Sequence, residues 1–245
     1  MSAVNRRDRA VSPLIGWDAI RANLRPAFAL QALMLIVLLA YYFHPPAAAL
    51  LNRLAEYKRT HGIPFVVISS ILAGSFLPEL FVVLFFQRGR FRRANFRNLL
   101  FTTPMWAFDG MIVDLFYRAL AAWFGDRVSL PVVALKVCVD QFGYNVLVAG
   151  PLEVIAYEWK NSGFLFAVIP RCLNLAYYRN KIVPTLFATW AVWLPLVAML
   201  YSLPLALQFP LFSFALTFWV LLLTYMTNVF AGKSAEPSLA DSMAR

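Results

Sequence analysis

VVALKVCVDQFGYNVLVAGP, residues 132–151, decides the fold. It is as long as one bilayer crossing, about 20 residues, and almost wholly apolar. Its first half nevertheless carries Lys136, Asp140 and Gln141. Ionisable groups at that depth are expensive unless they turn toward a protein-lined or watery interior. The stretch therefore reads as one helix of a multi-spanning membrane protein with a polar interior seam.

The whole composition agrees. Of 245 residues, 61% are hydrophobic and 14% charged, with a mean hydropathy of +0.67. Soluble domains carry about 25% charged residues, and the apolar residues here fall in long blocks. The expected class is all-α: a polytopic transmembrane helical bundle with five to six spans. The lipid bilayer is its first partner. A net charge of +10 does not signify nucleic acid, because the basic residues lie between apolar blocks, where orientation in the membrane explains them. Cys138 and Cys172 sit in or beside apolar stretches and read as small buried hydrophobes. His44 and His61 are isolated, so neither a metal nor another cofactor is expected.

Residues 1–26 form a polar, Arg-rich tail. Asp8 and Asp18 argue against a mitochondrial transit peptide, which is poor in acids. Residues 27–231 hold the helical bundle. Its first block, 28–43, is marginal as a span and ends at Pro45-Pro46. ALLNRLAEYKRTHG, 49–62, reads as a short amphipathic helix with Leu50, Leu51, Leu54 and Tyr57 on its apolar face and Arg53, Lys58 and Arg59 off it. Pro64 opens a second span to about Gln87. RGRFRRANFR, 88–97, is a basic loop. A third span covers about 99–124, with a tight turn at 125–127, and the quoted stretch is the fourth, running past Glu153. FLFAVIP, 164–170, is too short to cross and reads as interfacial. Blocks 184–206 and 209–230 close the bundle, and 232–245 is a small polar tail expected to be disordered.

Charge fixes the orientation. With six spans, the segments on the side of the N-terminus hold sixteen Lys or Arg, against four on the other side; Arg118 and Lys136 lie within spans. Such a bias marks the cytoplasmic face. It points to a bacterial inner membrane.

Within the spans stand Glu79, Asp109, Asp114, Asp140 and Glu153 against Arg118 and Lys136. Asp114 and Arg118 are four apart and can pair on one helical face, as can Lys136 and Asp140. Glu79, Asp109 and Glu153 have no evident partner in sequence. Two readings compete: these groups lock helices together, or they line a hydrated path that favours cations. No zinc-type HExxH, GxSxG elbow or phosphate loop is present. Asp109-Gly110 with Asp114 resembles only the start of a CDP-alcohol phosphotransferase signature, without the Ala-Arg that should follow. No catalytic residue is assigned, and no enzyme is expected.

Several motifs, taken in order, resemble those of the Mpv-seventeen / peroxisomal-membrane-protein-twenty-two family of membrane proteins. AEYKRTHGIP places Tyr57 ahead of a span-opening Pro64. Arg93 and Arg97 resemble the family's basic loop, and Phe116-Tyr117 its Trp-Tyr. Lys136 with Asp140-Gln141 matches its Lys-x-x-x-Asp-Gln. VPTLFATWAVWLP, with Trp190, Trp193 and Pro195, resembles its Trp-x-x-Trp-Pro segment, and Leu203-Pro204, Trp219 and Leu223-Thr224 its closing pattern. The likeness covers about residues 53–228. Pro78-Glu79 and Asp109-Gly110 replace the family's Gly-Asp and Gly-Pro, Pro195 falls one residue late, and Gln208 stands where an Arg is usual. The resemblance implies a weakly selective channel for small solutes or ions and, in a eukaryotic chain, a mitochondrial inner or peroxisomal membrane. The alternatives to a channel are a non-conducting scaffold or homeostasis protein and, behind it, a membrane-embedded enzyme working near Asp109 and Asp114. Assembly into a homo-oligomer is left open.

Overall fold

The structure is a computed structural model that describes the backbone of residues 13–221 and the side chains of 27–221, apart from residue 188. Within them every regular element is helical and no strand occurs. The helices are α1 (Pro13–Phe43), α2 (Pro45–Phe86), α3 (Arg93–Phe124), α4 (Leu130–Asn161), α5 (Leu175–Phe187), α6 (Thr189–Tyr201) and α7 (Leu205–Leu221). Three of them, α2, α3 and α4, are long and apolar enough to cross a membrane. A fourth crossing arises if α5 and α6, bent by 53° at their junction, act as one broken span. The apolar part of α1, Ala27–Phe43, and α7 are shorter. The disordered tail expected over 232–245, and the end of the expected sixth block, lie outside the described residues. Helix α1 starts at Pro13, well inside the stretch read as a polar tail.

The burial pattern is that of a membrane protein. Large apolar side chains such as Phe28, Ile36, Phe85, Leu100, Leu115 and Leu147 face outward, while Lys58, Glu79, Asp114, Lys136, Asp140 and Gln141 are buried. In water that arrangement would forfeit the hydrophobic effect; in lipid it costs nothing outside and shields polar groups within.

The chain forms two compact units. One comprises residues 13–31 with Val133–Ala198, the other Ala32–Val132 with residues 199–221. In the second unit, α2 and α3 are an antiparallel hairpin. Their contact partners descend one helix as they climb the other: Ser70 with Gly110, Gly74 with Trp106, Ser75 with Thr102 and Thr103, Glu79 with Asn95 and Asn98. Small residues permit this close approach. A Cβ on Gly74 would run into the Trp106 ring, and one on Gly110 into Ser70 Oγ.

Proline accounts for most of the places where the helices are irregular. Gly62 takes φ 48° and ψ −124°, two residues ahead of Pro64, so α2 breaks there. The expected amphipathic helix and second span are thus the two arms of α2. Of four stretches of π-helix among the described residues, Leu72–Phe76, Val139–Ala149 and Tyr178–Ile182 each end two residues before a proline, Pro78, Pro151 and Pro184, whereas Val82–Phe86 closes α2 with no proline after it. A proline ring clashes with the carbonyl four residues back, and widening the preceding turn to i→i+5 bonding relieves that clash.

Neighbouring helices fill the carbonyls that the prolines cannot serve. In the π register of α4, Gly150 N–H donates to Asn145 O, so the next bond would run from residue 151 to Val146 O. Pro151 has no N–H. Tyr178 Oη donates to Val146 O instead, at 2.8 Å. In α6, Pro195 likewise leaves Ala191 O without its helical donor, and Gln31 Nε2 donates to it at 2.9 Å. Both substitutions matter because lipid offers no water to such groups.

Candidate functional site

Two sets of polar side chains, one in each unit, hold the buried candidate residues. In the first unit the set lies along α4. Lys136, Asp140, Gln141 and Asn145 are all buried. Their spacing of four or five residues is what a helix passing from α to π register aligns on one face. Gln141 Nε2 donates to Asp140 Oδ1 at 2.9 Å, and Asn145 Nδ2 donates to Gln141 Oε1 at 3.3 Å. Trp190 Nε1 donates to Gln141 O at 2.9 Å, while its ring lies 5.2 Å from that of Phe142. Gly150 brings Leu186 close enough that a Cβ there would meet it at 2.8 Å. Glu153, further along α4, is exposed and stands apart from this buried row.

In the second unit the set lies in the α2–α3 hairpin. Asp114 accepts two cations: Lys58 Nζ lies 2.6 Å from Oδ1, and Arg118 Nη2 lies 2.6 Å from Oδ2. The expected Asp114–Arg118 pair is present. Lys58 is a correction. Its sequence position places it off the apolar face of an amphipathic helix, yet its side chain is only 7% exposed. The break at Gly62 frees the first arm of α2 to lay its Lys58 face against α3, where Asp114 compensates the charge. Phe209 of α7 adds a ring 5.8 Å from Lys58 Nζ. Next to it, Tyr117 is buried edge-on to Tyr201 and Phe212.

At the other end of the hairpin, Glu79 finds the partners that its sequence context does not reveal. Asn95 Nδ2 donates to Oε1 at 2.5 Å, and Asn98 Nδ2 donates to Oε2. Asn95 also accepts from Arg92 N–H at 2.6 Å and so caps α3. Between the two ends, the Ser75 and Thr102 hydroxyls share a hydrogen bond of 2.6 Å. Asp109 is half-buried on α3. The signal for Asn95 and Asn98 existed: two amides one turn apart at the start of a span, opposite a span with a lone carboxylate.

The motif residues divide by environment. Tyr57 is exposed and stacks on His61 with ring centres 3.9 Å apart. Pro64 follows the break in α2, and Pro204 precedes α7. Trp190 binds α4, Trp193 and Trp219 are half-buried, and Pro195 is exposed within α6. No protein-family model, curated protein or solved structure matches the chain.

Proposed function

We propose that this chain is a divergent member of the Mpv-seventeen / peroxisomal-membrane-protein-twenty-two family, crosses the membrane five or six times, and provides a weakly selective pathway for small solutes or ions. The observation that carries this reading is the buried row Lys136, Asp140, Gln141 and Asn145 on α4. Polar groups at membrane depth mark substrate and ion pathways, and π-helical segments recur at functional sites. In this reading Asp140 sets the preference for cations, and the described conformation, with the row buried, is the closed one. The basic segments face a bacterial cytoplasm. Purified protein in planar bilayers should conduct, and Asp140→Asn should shift the reversal potential in a salt gradient toward anions. Silent bilayers with folded protein would refute the pathway.

The second reading, a non-conducting scaffold, is favoured by the α2–α3 hairpin. Asp114 and Glu79 each have two protein partners there, which is how locked helices satisfy charge. The two readings separate at Asp140→Asn: a scaffold loses thermal stability with no change in flux.

A further inference from the structure

The loop between α2 and α3 carries a chemistry that neither polar set uses. A cavity of about 250 Å³ opens there, lined by Phe86, Gln87, Arg88, Arg90 and Arg92. The three arginines are exposed, and among the described residues none of them, nor Arg93 or Arg97, pairs with a carboxylate. They crowd the first turn of α3, which contains no acid and whose N-terminus already carries the positive end of the helix dipole. Uncompensated, this arrangement repels itself.

The backbone is bent to hold the cluster: Arg88 takes φ 54° and Gly89 φ 75°, with Gly89 N–H donating to Val83 O at 2.8 Å and Arg90 N–H to Gln87 O at 3.0 Å. These bonds close the C-terminus of α2, with Arg88 in the left-handed conformation common just past a helix end. Gln87 Oε1, beside the cavity, is buried and accepts no hydrogen bond. Phe85, in the last turn of α2, and Phe91, within the loop between Arg90 and Arg92, stand exposed. Cationic forks, an unused acceptor and exposed apolar rings together describe the boundary between acyl chain and headgroup.

We propose that this loop is a binding site for an anionic phospholipid headgroup, whose phosphate Arg88, Arg90 and Arg92 bind. Arginine suits phosphate because its planar fork donates two hydrogen bonds at once. The exposed phenylalanines favour a lipid over free phosphate, since only the lipid brings acyl chains to cover them.

The test uses the full chain in detergent, titrated with phosphatidylglycerol, phosphatidylcholine or inorganic phosphate and read by native mass spectrometry and thermal unfolding. The wild type should retain phosphatidylglycerol at least about tenfold better than phosphatidylcholine. Arg88→Gln/Arg90→Gln/Arg92→Gln should abolish that preference, and the matching lysine variant should recover only part of it. The control Arg171→Gln/Arg179→Gln/Lys181→Gln, which neutralises another exposed basic segment, should keep it. Equal loss in both glutamine variants would reduce the effect to general charge attraction and overturn the site. So would the absence of any lipid preference in the wild type. Binding of inorganic phosphate alone, lost in the loop variant, would overturn the lipid assignment and leave a free-phosphate site.

Discussion

Asp114 carries one charge and faces two cations, and that imbalance sets the order of its mutants. Asp114→Asn leaves Lys58 buried without a counterion. Removing one partner of a buried pair costs about 3–5 kcal/mol, so this variant should unfold at a clearly lower temperature. Lys58→Met should cost less, because Arg118 still holds the carboxylate. Combining the two should recover most of the loss, which a double-mutant cycle in one detergent measures directly. Strictly additive costs would show that the pair is not coupled. Half of this site is legible in the sequence, because Asp114 and Arg118 are one helical turn apart. Lys58 is not, because its burial depends on a tertiary break at Gly62 that helical periodicity cannot register. For the same reason Glu79 looks unpartnered until the hairpin brings Asn95 and Asn98 across from it.

At the scale of elements, proline accompanies three of the four π-helical stretches among the described residues, and at Pro151 and Pro195 a neighbouring helix serves the freed carbonyl. Tyr178→Phe removes the donor to Val146 O and should cost about 2 kcal/mol for an orphaned buried carbonyl. The same change in a Pro151→Ala chain should cost much less, since an alanine at that position supplies the missing N–H; undiminished cost there would break the explanation. The hairpin makes its own prediction. Gly110→Ala pushes a Cβ onto Ser70 and should destabilise by about 1–3 kcal/mol, and Ser70→Gly in the same chain should return part of it. Thermal unfolding checks both. The prolines and glycines are visible in the sequence. Their consequence is not, because hydrophobic periodicity identifies a span without distinguishing α from π bonding along it. The row Lys136, Asp140 and Gln141 is conspicuous as residue types, whereas the inclusion of Asn145 follows only from the wider π turn.

For the whole molecule, the central physical fact is a large exposed apolar surface around a core that also buries charged side chains, Lys58, Glu79, Asp114, Lys136 and Asp140. Composition conveys the excess of apolar residues, and the long apolar blocks convey the helical class; neither shows which side chains are buried. The number of crossings is harder to read, because α1 and α7 have apolar stretches near the minimum length and α5 and α6 would share one crossing only if the bent pair acts as a single span. What joins the buried charges to the proposed pathway is water reaching the row on α4. The most direct measurement is thiol accessibility in proteoliposomes, in a chain with Cys138 and Cys172 replaced by alanine. Gln141→Cys and Asn145→Cys should react with a charged, membrane-impermeant thiol reagent, because a hydrated thiol can ionise and labelling accumulates over transient openings. Leu147→Cys, on the exposed apolar face of the same helix, should stay unlabelled in lipid. A folded protein in which neither row position reacts would contradict the pathway and leave α4 as a dry helix lock.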